Sequence, residues 1–366
     1  MAMYHLRLFI IFFLNANLPI TLSAICGCRY MRECYEHMID DLITKGETPC
    51  ISEAAIGSST ITIFLKAIQK YCANVTEVYQ DKLTYEGRNL YEILIRTSPD
   101  NGKEDERPVI AIDAGQEAGS HSVEFALYLI EQLISCEEND EMISNVRWVI
   151  MPSVNPDGRE YSRNNRIKWR KNVMTSADGM SFGVDISRNF EGDWKACPTV
   201  HSSFSPVYPG PNAASEVETQ FVQGVLSKYK KDIKMYISLR RDGHSFNYPH
   251  GYESSYAVSR PKLEKVATMV AAKVNQRAGG VHLFTNQSIF ELNGKPYCGH
   301  SVDYAHQLLS IPYAFEMRVF LGSENDIMSA FQSLPRGYDT TLRTGYYSGI
   351  KELYNILTKD NQYRFF

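Results

Sequence analysis

Three cations, Arg170, Lys171 and Arg188, punctuate the stretch from Asn155 to Trp194, NPDGREYSRNNRIKWRKNVMTSADGMSFGVDISRNFEGDW. Each stands beside an aromatic residue or a turn, in Trp169-Arg170-Lys171 and in Ser187-Arg188-Asn189-Phe190. Solvated surface charge is the common fate of an arginine. These lie instead in aperiodic, Gly/Asn/Asp-rich sequence directly after an apolar run, Trp148 to Met151. That run reads as a buried strand, and loops at strand C-termini are where α/β folds put their sites. Two guanidinium groups in such a loop suit a carboxylate, held bidentately. Asn155-Pro156-Asp157-Gly158, between strand and cations, is turn chemistry: Pro presets φ, while Asp and Gly tolerate tight or left-handed positions.

Taken together, NPDG, Trp-Arg-Lys and Gly183-Val184-Asp185-x-x-Arg188-Asn189-Phe190 resemble the zinc metallocarboxypeptidases of the carboxypeptidase A/B type. The three motifs occur in order and at the family's spacing. The likeness runs from Tyr85-Glu86-Gly87-Arg88 to beyond Phe315-Glu316-Met317-Arg318. It implies that Arg170 matches the arginine that polarises the scissile carbonyl. Arg188 matches the one that clamps the substrate's C-terminal carboxylate, with Ser187 where the family has an Asn. Glu316 matches the general base; pairing with Arg318 is its alternative role. Val302 falls at the specificity position, where an apolar residue favours aliphatic or aromatic C-terminal side chains, and Asp303-Tyr304 keep the pair that follows. The family's mobile Tyr falls at Lys295, with Tyr297 two residues on. Ser181 and Phe204 stand where the family has a disulfide.

The same resemblance implies a zinc ion held by two His and one Glu, with a water at the open position. Here the matching positions are degenerate. Counting from the helix and from NPDG puts Gln116 and Gly119 at the His-x-x-Glu pair; counting from the preceding strand puts Glu117 and Ser120 there. The third ligand position, counted back from Tyr248-Pro249-His250-Gly251-Tyr252, holds Arg240. A guanidinium cannot ligate zinc, and its fixed charge repels the ion. His121-Ser122-Val123-Glu124 and His244-Ser245-Phe246 mimic the two ligand motifs four or five residues late, so His121, Glu124 and His244 form an alternative set. Against it stands geometry: four or five residues displace a helical ligand by about 7 Å, and metal distances tolerate only tenths of an ångström. No cofactor is therefore expected, and zinc only if the alternative set assembles.

What must position these residues is an alternation of strand and helix periods. Leu90–Ile95, Val109–Ile112, Trp148–Met151, Ile233–Leu239 and Tyr313–Met317 read as strands. Ile61–Tyr71, Phe125–Ile134, Glu216–Tyr229, Pro261–Val274 and Ser348–Leu357 read as helices. The pattern implies a single large α/β domain with a mostly parallel mixed sheet and helices on both faces. No internal repeat or low-complexity segment interrupts it.

Residues 1–24 have a short basic start, an apolar core and a Leu-Ser-Ala end, and read as a signal peptide rather than a membrane span. Residues 25–40 form a short Cys-rich segment and 41–366 the carboxypeptidase-like domain. That segment is too short for the inhibitory prodomain that digestive family members carry. Eight cysteines behind a signal peptide point to disulfides, with pairing undetermined; a zinc cluster among Cys26, Cys28, Cys34 and Cys50 is the rival reading. Asn74-Val75-Thr76 and Asn286-Gln287-Ser288 are glycosylation sequons. A hydrophobic fraction of 44% and net charge of −4 give no sign of nucleic-acid or anionic-membrane partners. The expectation is a secreted, extracellular pseudoenzyme that binds peptide or protein C-termini, or an unknown extracellular protein, without hydrolysis. An active zinc enzyme with the displaced ligands, releasing apolar C-terminal residues, and a scaffold with a vestigial pocket are the alternatives.

Overall fold

The structure, a computed structural model, describes residues 57–98, 104–119, 121–175, 179–180, 182–197, 202–252, 260–278, 283–321 and 338–362, with 37, 38, 40 and 44. The proposed signal peptide and the cluster Cys26, Cys28, Cys34 and Cys50 lie outside them, as do Ser120 and Ser181.

Eight strands form one sheet: β1 (Thr76–Leu83), β2 (Asn89–Ile95), β3 (Val109–Ala114), β4 (Arg147–Met151), β5 (Ile233–Arg240), β6 (Ser245–Tyr248), β7 (Thr285–Ser288) and β8 (Tyr313–Arg318). Their order is β1-β2-β4-β3-β5-β8-β6-β7. The centre, β4-β3-β5-β8, is parallel, as is β6 with β7; β1 with β2, β2 with β4 and β6 with β8 are antiparallel. Every residue of β3 and β4 is buried, as a strand covered on both faces requires.

Alternation divides the sheet's side chains between two cores. Ile110, Ile112, Trp148, Ile150, Ile237, Leu239, Phe315 and Met317 face one core. Helices α1 (Ser58–Tyr71), α2 (His121–Ser135), α3 (Asp140–Asn145), α6 (Arg260–Ala278) and α9 (Tyr338–Gln362) cover it. Helix α1 does so through Ile61, Phe64, Leu65 and Ile68, one stripe of a 3.6-residue period. Val109, Ala111, Val149, Met151, Tyr236 and Ala314 face the other core, under α5 (Val217–Lys228) and the turns around Ile186 and Val302. Continuing the alternation puts Asp113, Ser238, Arg240, Glu316 and Arg318 on this second face, at the C-terminal ends of the central strands. The register sets Asp113 beside Ser238, Ser238 beside Glu316 and Arg240 beside Arg318.

Two local expectations change. NPDG opens a helix, α4 (Pro156–Asn165): Asn155 caps it by accepting from the Gly158 N–H at 2.9 Å, and Pro156 occupies the first turn, where its missing N–H costs nothing. The last helix begins at Tyr338, ten residues before the apolar period announced it. Three further short helices, α7 (Ile289–Asn293), α8 (Ser301–Asp303) and a π-turn over Tyr304–Leu308, complete the second face.

Candidate functional site

The arginine-bearing loop is fixed by backbone contact. A Cβ on Gly158 would lie 2.2 Å from the Lys171 carbonyl oxygen, so only glycine allows α4 to approach this strap. From the other side the Ala118 N–H donates to the Arg170 carbonyl at 3.1 Å. Lys171 takes no part in the clamp: it packs over Trp169 and donates to the Ser203 carbonyl at 2.8 Å.

Arg170 and Arg188 meet over one carboxylate. Asp185, fully buried, accepts from Arg170 Nε at 2.7 Å, and Arg188 Nε lies 3.2 Å from the same oxygen. Its other oxygen accepts from the Ser187 hydroxyl at 2.6 Å and caps the 3-10 turn Ile186–Arg188. Tyr297 closes the group. Its hydroxyl lies 2.6 Å from Ser187 Oγ and accepts from Arg170 Nη2 at 2.9 Å, while Arg188 stacks on its ring with Cζ 3.8 Å from the centroid. A disulfide, Cys197–Cys298, ties the segment after the clamp to the residue next to Tyr297. Arg170 and Arg188 are the part of this group that reaches solvent, at 22% and 19% side-chain exposure.

Behind the clamp lie Glu117 and Arg240, two of the residues matched to zinc-ligand positions. Glu117, 2% exposed, accepts from Arg170 Nη2 at 2.9 Å, with Arg240 Nη1 at 3.6 Å and Arg241 Nε at 4.0 Å. Burial alone would raise its carboxyl; Arg170, Arg318, Arg240 and Arg241 outweigh that and pull it down to about 2. Arg240, 1% exposed, donates to Ser238 Oγ at 2.9 Å and Ser301 Oγ at 3.2 Å. Burial opposes its charge, but Tyr297, Glu117, Glu316 and Asp113 hold the guanidinium protonated.

Glu316 is saturated. One oxygen accepts from Arg318 Nε at 2.6 Å and Asn247 Nδ2 at 3.0 Å, the other from His300 Nε2 at 2.8 Å. His300 Nδ1 accepts from the Val302 N–H, which fixes the proton on Nε2. Burial and the nearby Arg240 push the imidazole down to about 4, so it is neutral at physiological pH. Against burial, Arg318, His300 and Arg240 hold the Glu316 carboxyl well below its usual range. Val302 is fully buried in the second core, and Asp303 accepts from the Gly251 N–H at 2.9 Å.

These residues do not fit a zinc ion. The Gln116 amide turns its nitrogen to Asp113, Ser238 and Ser301. Gly119 offers no ligand, and the space a Cβ would take there lies 2.5 Å from Arg241 Cδ. Arg240 presents only N–H donors. The displaced set does not assemble either. His121 packs edge-on against Phe320, Glu124 lies 3.8 Å from Arg343, and His244 Nδ1 lies 2.7 Å from the Tyr346 hydroxyl. Among the described residues no three His, Cys, Asp or Glu gather as a metal site.

Sequence comparison bears on the whole of this architecture. The profile of the zinc carboxypeptidase peptidases matches residues 61–340. The chain belongs to the zinc carboxypeptidase family. A carboxypeptidase B from Helicoverpa zea is 29% identical to this family member over 69% of its chain and 62% of the relative's. Zinc carboxypeptidase A 1 of Drosophila melanogaster is 29% identical over 70% and 59% respectively, so the match spans about three fifths of either relative. A structure of bovine thrombin-activatable fibrinolysis inhibitor with tick carboxypeptidase inhibitor shares the fold, with TM-score 0.73 and 22% identity over 84% of this chain and 99% of that one. A carboxypeptidase A from Helicoverpa armigera does so at TM-score 0.72 and 21% identity over 87% and 78%. Among the described residues of this carboxypeptidase-family chain no helix is long and apolar enough to cross a membrane.

Arg170, Arg188, Ser187, Arg240 and Glu316 thus come to one end of the sheet, while His121, Glu124 and His244 lie among the aromatic residues of the other core. Sequence reasoning missed Asp185 as the organiser of the clamp, though it stands inside the motif. It also missed His300, whose signal was present in Cys298-Gly299-His300, immediately before Ser301.

Proposed function

We propose that this carboxypeptidase-family protein is a secreted binding protein for free C-terminal carboxylates of peptides or proteins, without hydrolytic activity. The observation that carries the reading is the guanidinium of Arg240 at the end of β5, where the family's third zinc ligand belongs, neutralised by buried Glu117. Glu316 supports it: a carboxylate already accepting three hydrogen bonds, with its basicity depressed, is a poor proton acceptor for hydrolysis. Arg170 and Arg188, with Ser187, keep guanidinium edges toward solvent for a carboxylate.

The test pairs metal analysis with calorimetry. The purified protein is expected to hold no stoichiometric zinc and to release no C-terminal Phe or Leu. It is expected to bind a peptide acid roughly tenfold to a hundredfold more tightly than the matched amide, as one charge-assisted pair allows. One equivalent of zinc, lost on His121→Ala, would establish the enzyme with displaced ligands. Equal or no binding of acid and amide would leave a scaffold, a reading that the stacking of Tyr297 on Arg188 favours.

A further inference from the structure

Beyond the clamp, the guanidinium groups of Arg170, Arg240, Arg241 and Arg318 surround the buried Glu117 carboxylate, and two of them pack against glycines. Arg241 folds back across Gly119, where a Cβ would meet its Cδ at 2.5 Å. Arg318 passes Gly243, where a Cβ would meet its Cβ and Cδ at 2.8 Å. Glu117 holds Arg170 directly and faces Arg240 and Arg241, yet donors remain unused. Arg240 Nη1 and Arg241 Nε are buried and carry no hydrogen bond. Arg241 and Arg318 keep 12% and 14% of their side chains exposed, and Asp242, 3.2 Å from Arg241 Nε, faces them from the surface. The unused donors lie behind a rim formed by the partly exposed guanidinium groups of Arg241 and Arg318, and cationic groups at an open rim favour an anionic partner.

The contacts also give a direction. Arg188 and Arg170 share Asp185, Arg170 and Arg240 share Glu117, and Arg241 lies beyond. This order sets Arg188 at one end of the series and Arg241 at the other, with Arg170 between them. We propose that the ligand is doubly acidic: a C-terminal carboxylate at Arg188 and an acidic side chain one or two residues upstream at Arg241 and Arg318. This rests on the carboxylate-binding reading above and adds the class of sequence recognised.

The test is calorimetry at low salt with three peptides of otherwise equal sequence, ending Glu-Glu-Leu acid, Gln-Gln-Leu acid and Gln-Gln-Leu amide. The Glu-Glu peptide is expected to bind roughly tenfold more tightly than the Gln-Gln acid, about one well-placed charge pair, with the advantage shrinking as salt rises. Arg241→Gln should erase the advantage and Arg241→Lys keep part of it, with the melting temperature of each variant reporting its folding. Equal binding of the two acids, with both above the amide, overturns the doubly acidic ligand and leaves the clamp standing. Failure of all three peptides to bind at millimolar concentration removes both.

Discussion

Arg240 and Glu117 face each other with Nη1 and Oε1 3.6 Å apart, the one ending β5, the other in the loop after β3, and both within 2% of complete burial. An ion pair removed this far from water gains little unless its remaining donors and acceptors are met. Here that is met in part: Arg170 takes one Glu117 oxygen at 2.9 Å and Ser238 and Ser301 accept from Arg240, while Glu117 Oε2 and Arg240 Nη1 make no hydrogen bond. Arg240 gives the buried carboxylates at the strand ends a covalently attached counter-cation.

Breaking this pair from one side should be costly. Arg240→Met leaves Glu117 less compensated, and Glu117→Leu leaves four arginines short of a carboxylate; each is expected to lower stability by about 3–5 kcal/mol. The double variant should cost less than the sum by about 1–3 kcal/mol. Urea unfolding of the four proteins gives the coupling. An additive double variant would mean that Glu316 and Asp113, not Glu117, balance Arg240.

A second buried carboxyl sets the pH dependence. Glu218, at the start of α5 and 1% exposed, shares the Asn172 amide with Glu216. Burial, reinforced by the Glu216 charge, pushes it up to about 8 from an ordinary 4.5. The folded state then keeps a proton that the unfolded chain loses above 4.5. The stability this carries is complete below 4.5 and lost as pH rises through 8, by up to about 1.4 kcal/mol per unit. Glu218→Gln cannot lose that proton, so its stability relative to the parent should climb between pH 5 and 8 and then level off. Asp303, raised to about 7 by burial, acts with the same sign in both proteins and cancels in the difference. A pH-independent difference would show that Glu218 is already ionised. Glu117 acts oppositely: its contribution is present above 4.5 and fades as pH falls toward 2.

The strands Ile233–Leu239 and Tyr313–Met317 were legible from their apolar runs, and the structure extends each by one residue, to Arg240 and Arg318. Counting from flanking motifs singled out Arg240, which ends β5. Both registers for the first ligand position proved informative: Gln116 lies beneath with Asp113 and Ser238, and Glu117 faces the arginines. The strands β1, β6 and β7 escaped notice for a physical reason. Thr76–Leu83 is a largely solvated edge strand; Ser245–Tyr248 alternates Phe246 and Tyr248 with polar residues over only four positions, and Thr285–Ser288 has no apolar residue. NPDG was ambiguous because Asn and Pro serve a helix start as well as a turn, and the following residues, REYSRNN, show no apolar period. Tyr297 and the Cys197–Cys298 bridge depend on loops about a hundred residues apart, where no local rule applies.

Within the clamp, Tyr297 and a ligand compete for one donor, Arg170 Nη2. The Tyr297 hydroxyl accepts from it and, because the Ser187 proton goes to Asp185, donates to Ser187 Oγ. Tyr297→Phe leaves the ring stacked on Arg188 but removes that oxygen, so the free protein should lose about 1 kcal/mol of stability. The share of Arg170 Nη2 that it releases is then open to the ligand, and the peptide acid should bind roughly fivefold more tightly. Arg188→Ala, by contrast, should abolish the difference between acid and amide, since Arg170 alone is committed to Asp185 and Glu117. Paired thermal melts and calorimetry on the two variants decide the role of the tyrosine. Weaker binding by Tyr297→Phe at unchanged fold would make the hydroxyl part of the ligand's own contact, and the clamp would then be open in the free protein rather than capped.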